Sequence, residues 1–170
     1  GQIPFYYNAP YLPIRKEKEN AYYDKHSMSI YNDEHSVPMY PFGYGLSYTE
    51  FKYGAVKCSR NQISVKEINN GEKIKAEVTV ENTGDYSAYE IIQMYVSARK
   101  AKKQRPIKEL RGFVKKYIEK GNKLTVIFEI GKEELVYYPE KELLVESGGY
   151  DIYIGGNCCT DNKAVIEVSE

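Results

Sequence analysis

The run Lys73-Ile74-Lys75-Ala76-Glu77-Val78-Thr79-Val80-Glu81 alternates strictly between polar and apolar side chains. Successive side chains of an extended chain point to opposite faces, so this pattern predicts a β-strand with one buried and one wet face. Asn82-Thr83-Gly84-Asp85 follows with the residues of a turn. The same period returns at Leu124, Val126, Phe128 and Ile130, after the turn Lys120-Gly121-Asn122, and at Ala164, Ile166 and Val168 near the end of the chain. Tyr150, Ile152 and Ile154 form a short strand between the pairs Gly148-Gly149 and Gly155-Gly156. Tyr89 to Val96 is apolar on both faces, as a central strand would be. Phe51–Ser59 and Gln62–Glu67 read as an opening strand broken at Arg60-Asn61. No segment carries a capped helix with a 3.6-residue stripe, and Lys132–Leu135 reads as a single helical turn. Around seven short strands with turns between them point to an all-β, immunoglobulin-like sandwich over residues 51–170.

Residues 1–50 differ. They hold five of the 7 prolines, and residues 14–36 show no period of 2 or 3.6. Proline fixes φ and removes a donor, so the segment reads as an extended N-terminal tail. At this length it is better explained as chain packed on another body than as a loop. Its residues 5–40 are expected to be loosely held without that neighbour.

With 24 basic and 24 acidic residues among 170, no net charge argues for nucleic acid or an anionic membrane as partner. The basic run Arg99-Lys100-Ala101-Lys102-Lys103-Gln104-Arg105 has no interleaved aromatics, and reads as a solvated loop that shields a sheet edge. No apolar run reaches the roughly 20 residues of a membrane helix, and no N-terminal stretch reads as a signal peptide. The chain has 18 Tyr and no Trp, a bias suited to pleated surfaces and to seams with one wet side. Cys58, Cys158 and Cys159 read as free thiols, with a bond from Cys58 to either of the others as the alternative. Neither CxxC nor HxxxH spacing occurs, so no metal site and no cofactor is expected.

Tyr40-Pro41-Phe42-Gly43-Tyr44-Gly45-Leu46-Ser47-Tyr48-Thr49, followed by Phe51, resembles the junction sequence of bacterial family 3 β-glucosidases and β-xylosidases. Gly1-Gln2-Ile3-Pro4 with Tyr6-Tyr7-Asn8 resembles the stretch that ends their α/β-sandwich domain. Val78-Thr79-Val80-Glu81-Asn82-Thr83-Gly84, Gln93-Met94-Tyr95-Val96, and Pro106 with Lys108-Glu109-Leu110-Arg111-Gly112-Phe113 are similar to successive motifs of their fibronectin type III-like domain. The resemblance implies that residues 1–50 are the trailing segment of an α/β-sandwich domain plus a linker. It implies a parent that hydrolyses terminal β-glucosides or β-xylosides with retention, using two carboxylates about 5–5.5 Å apart. It further implies a chain that is not itself an enzyme. Its partners would be the catalytic barrel and α/β-sandwich domains of that parent, which would also bring any oligosaccharide. A bacterial source is implied, with the cytoplasm set slightly ahead of secretion.

The aromatic cluster Tyr40, Phe42, Tyr44 and Tyr48 has two readings, a seam docking the sandwich on the catalytic domains or a rim stacking on sugar. An independent carbohydrate-binding module would show a planar row of exposed aromatics, and a dimerisation domain an exposed apolar patch. Asp24, Asp33, Glu34, Glu133 and Glu134 are read as solvated acids rather than a catalytic pair, and His26 and His35 as loop residues.

Overall fold

The computed structural model describes Tyr7 and residues 40–99, 105–137 and 145–170. Residues 1–6 and 8–39, with Asp24, Asp33, Glu34 and both histidines, and residues 100–104 and 138–144 lie outside the described residues. Among those described, the strands form two sheets. In the first, β4 (Ile74–Asn82) pairs with β7 (Lys123–Ile130) along one edge. Along its other edge it pairs with β1 (Phe51–Tyr53) and β2 (Lys57–Cys58). The second sheet runs β3 (Gln62–Ser64), β9 (Lys163–Ser169), β8 (Gly148–Gly155), β5 (Ala88–Ala98), β6 (Glu109–Ile118). All its pairs are antiparallel except β3 with β9.

The alternating residues meet between the sheets. Ile74, Ala76, Val78 and Val80 of β4 and Val126, Phe128 and Ile130 of β7 face Ile92, Met94 and Val96 of β5. Tyr150, Ile152 and Ile154 of β8 and Ile166 and Val168 of β9 complete the layer. Each such side chain contributes about 1.5–3 kcal/mol when removed from water. The all-β sandwich is therefore built on the period-2 residues.

Three details depart from the sequence reading. The opening strand is two pieces separated by Gly54–Val56, and its second half does not reach Glu67. Residues Val65–Asn69 form a short helix, α1. Ser64 Oγ accepts the Glu67 N–H at 3.2 Å and Glu67 returns the bond to Ser64 N at 2.7 Å. That reciprocal cap is the mark of Ser-x-x-Glu at a helix start. Secondly, Glu109–Ile118 is a strand that alternation does not reveal, because β6 is an edge with mixed burial. Lys132–Leu135 (α2) forms its one turn as expected.

The third departure concerns β5. Ile92–Val96 is buried throughout, but Tyr89 and Ile91 are exposed. The register explains this: β8 ends at Gly155 opposite Gln93, so residues 88–92 keep β6 on one side and lose a strand on the other.

On the outer face of β8, Asp151 accepts from Arg99 Nε at 2.9 Å and from Lys163 Nζ at 3.1 Å. Burial raises the Asp151 carboxyl, but these two cations outweigh it and hold the group below the usual carboxylate range. A depressed carboxylate stabilises the fold above its unfolded pKa of about 4, and that stability is lost as pH falls through the folded value. Asp151→Asn is expected to cost about 1–2 kcal/mol at pH 7. The gap from wild type should narrow in urea melts as pH falls below the unfolded value of about 4.

Candidate functional site

The segment before β1 lies across one end of the sandwich as a strap, latched at both ends. At its start the Tyr44 N–H donates to Pro41 O at 3.0 Å, closing a turn. Gly43 occupies the third position of that turn with φ of 79°, a conformation L side chains rarely adopt. A Cβ there would stand 2.1 Å from Gln93 Oε1, so the strap can approach only as glycine.

Gln93 is buried with every polar group of its amide engaged. Its Nε2 donates to Gly43 O at 2.9 Å and to Gly156 O at 2.6 Å, while its Oε1 accepts from Tyr95 OH at 2.6 Å. Next to it the Cys158 N–H donates to Phe42 O at 3.0 Å. Phe42 stacks flat on Tyr7 with ring centroids 3.8 Å apart, and Tyr7 meets Tyr95 edge-on. The Cys158 turn is held from below by Lys108, whose buried Nζ donates to Cys158 O and Thr160 O and lies 3.9 Å from the Tyr153 ring centre. Burial pushes the Lys108 ammonium down.

At the far end the strap is fixed by Asn82. Its Oδ1 accepts from Thr49 Oγ1 at 2.6 Å and from Gly84 N at 3.2 Å. Its Nδ2 donates to Tyr86 O and Ile118 O at 2.8 and 2.9 Å. The backbone of Asn82 also pairs with Gly121 and Asn122 in the β6–β7 turn. Thr83 N donates to Glu50 O. The strap backbone runs so close to Gly84 that a Cβ there would meet Glu50 N at 2.6 Å.

Between the latches the strap bows outward. Leu46 is 87% and Tyr48 94% exposed, and Tyr40, Phe42 and Tyr44 are also exposed. Of the four aromatics singled out in the sequence, Phe42 has a stacking partner in the tail, and Tyr40 and Tyr44 tilt against one another at 5.2 Å. They do not form one flat surface. Beside them the outer face of β5 and β6 exposes Tyr89, Ile91, Phe113 and Tyr117. The Tyr89 and Tyr117 rings are 5.1 Å apart but inclined at 60°, and Lys115 covers Tyr89. On the same outer face Tyr95 is buried, so the planar row of a flat carbohydrate platform is not made.

Among the described acids, Glu133 is exposed and Glu134 accepts from Gly131 N at 2.8 Å. That bond secures α2. Among the described residues no group of three or more His, Cys, Asp or Glu converges as metal ligands. The three cysteines are free thiols, and burial beside Cys158 pushes the Cys159 thiol up to about 12. A thiol so held is a poor nucleophile. The basic run is less solvated than its composition suggests: Arg99 pairs with Asp151, and Arg105 is buried over the Tyr137 ring at 4.4 Å. Gln93, Asn82, Lys108 and Cys158 were not legible as latch residues from spacing, because each holds at least one partner remote in sequence.

Comparison with known proteins agrees with this architecture. The family model described as a fibronectin type III-like domain matches residues 90–158. The periplasmic beta-glucosidase of Salmonella typhimurium is 37% identical over 162 residues, covering 91% of this chain and 19% of that protein. A putative beta-xylosidase of Formosa agariphila is 36% identical over 125 residues, 73% of this chain and 16% of that one. The structure of a beta-glucosidase from Listeria innocua in complex with glucose superposes with a TM-score of 0.77 at 32% identity, covering 99% of this chain and 22% of its own. This chain thus spans about a fifth or less of the length of these relatives.

Proposed function

We propose that this chain, which carries the fibronectin type III-like domain of family 3 β-glucosidases and β-xylosidases, is a non-catalytic module that fixes the position of its parent's catalytic domains. The observation that carries the reading is the strap. Its two ends are locked by buried polar side chains, Gln93 and Asn82, while its middle presents Leu46 and Tyr48 almost fully to solvent. A segment held this rigidly, with large apolar side chains turned outward, is suited to bury them against a neighbouring body. Residues 1–50 are then the trailing segment of an α/β-sandwich domain and its linker, and Tyr40, Phe42, Tyr44 and Tyr48 form the docking seam. The parent's activity on terminal β-glucosides or β-xylosides resides in carboxylates outside the described residues.

Two measurements test the reading. The purified chain should release no chromophore from aryl β-glucosides or β-xylosides, and turnover by it would overturn a non-catalytic role. In the full-length parent, Leu46→Asp with Tyr48→Asp should lower the temperature at which activity is lost while leaving KM near wild type in the cold. An unchanged inactivation temperature would remove the docking seam. A second reading, self-association, is supported by β6, an edge strand exposing Phe113 and Tyr117. Its lysines Lys115 and Lys116 oppose such pairing.

A further inference from the structure

Where β8 stops short of β5, the strap arches over the uncovered end of that strand and leaves a cleft of about 520 Å³. This is within the range of pockets that hold small ligands. On its floor Glu90 accepts from Tyr53 OH at 2.5 Å and from the Ile91 backbone N–H. A carboxylate has room for about four such bonds, so acceptor capacity remains. Burial holds the Glu90 carboxyl above the usual carboxylate range, against the pull of both hydrogen bonds. Among the described residues no cation pairs with it. Gly156 leaves the carboxylate open: a Cβ there would stand 3.1 Å from Glu90 Oε1 and 3.6 Å from Tyr53 OH. Tyr44 and Tyr89, both exposed, line the cleft together with Ser47 and Asn157.

From this geometry we infer that the cleft is a carbohydrate subsite that seats a pyranose ring, with Glu90 accepting from adjacent hydroxyls and Tyr44 flanking the apolar ring face. A pyranose has hydroxyls around its edge and C–H groups on its faces. The cleft alternates in the same way, with a carboxylate, a hydroxyl and an amide set among aromatic rings. An apolar protein knob would bury the remaining acceptor sites of Glu90 unfilled, which costs more than it returns. The cleft adjoins the docking seam, with which it shares Tyr44 and Leu46, while Tyr48, the most exposed seam residue, lies outside it.

The test is a titration of the 170-residue chain with cellobiose and xylobiose, followed by NMR shifts, with sorbitol as an open-chain polyol lacking a ring face. Saturable shifts confined to Tyr53, Glu90, Ile91, Gly156 and Asn157 are expected from the disaccharides and none from sorbitol. Glu90→Gln preserves shape and should weaken binding about tenfold, the loss of one charge-assisted hydrogen bond. Gly156→Ala keeps the charge and obstructs the carboxylate, and should weaken binding by at least as much. An unchanged melting temperature for Gly156→Ala certifies that it folds, and should that variant unfold, Tyr44→Ala on the exposed strap replaces it. No saturable shift at the limit of solubility would overturn the subsite. So would equal binding by Gly156→Ala and wild type, or shifts that sorbitol reproduces. None of these failures touches the docking reading, which the thermal inactivation of the parent tests separately.

Discussion

Asn82→Ala is expected to destabilise the chain by about 3–5 kcal/mol, the range for removal of a fully buried polar hub. The side chain makes four hydrogen bonds in a site with no exposed surface. Alanine would leave the carbonyls of Tyr86 and Ile118 buried without a donor, together with the Gly84 N–H and the Thr49 hydroxyl. For a domain of this size that corresponds to a fall in melting temperature of about 10 °C or more. Thermal denaturation followed by circular dichroism measures it. Asn82→Asp separates hydrogen bonding from shape. It keeps the acceptor but turns carboxylate oxygen toward two carbonyls, so its folded pKa must be raised. Its stability should therefore increase as pH falls through that value, because the protonated acid can donate once. A variant equally unstable at all pH values would mean that the site matters for volume alone.

Gln93→Met should open the strap before it unfolds the sandwich. Methionine matches the volume but strands the carbonyls of Gly43 and Gly156 and the hydroxyl of Tyr95. The cost should be about 2–4 kcal/mol. Gln93 lies on the outer face of β5, away from the Ile92 and Met94 core, so local and global opening can be told apart. Hydrogen exchange of the Cys158 amide, which is bonded to Phe42 O, should accelerate in proportion to that cost. Exchange of core amides in β4 and β8 should change less. Uniform acceleration of the Cys158 amide and the core amides would show that the strap and the sandwich are one cooperative unit, and would remove the distinction between latch and core.

Both sites were visible in the sequence as something other than what they are. Asn82 stood out as the first residue of a turn, and Gln93 as the first residue of a strand motif shared with a family. A turn residue is normally explained by its own backbone. Here the side chain reaches Thr49, thirty-three positions earlier, and Ile118, thirty-six later. The aromatic cluster shows the same limit from the other side. Tyr40, Phe42, Tyr44 and Tyr48 were conspicuous as types, yet whether they pack or protrude depends on where the two latches hold the strap.

The sandwich itself could be read directly, because alternation is a local property: Ile74 to Val80, Leu124 to Ile130 and Ala164 to Val168 each name their buried face without reference to the rest of the chain. The α1 helix had an equally local signal in Ser64 and Glu67, hidden by the extended residues before it. Pairing is not local. That β8 ends opposite Gln93, baring the first residues of β5 and opening the cleft around Glu90, depends on the relative lengths of strands separated by some fifty residues, a quantity set by register and not by composition. The architecture followed from the period of the side chains; the latch, the seam and the cleft arose only when strands distant in sequence were laid against one another, because buried hydrogen bonds choose partners by position in space.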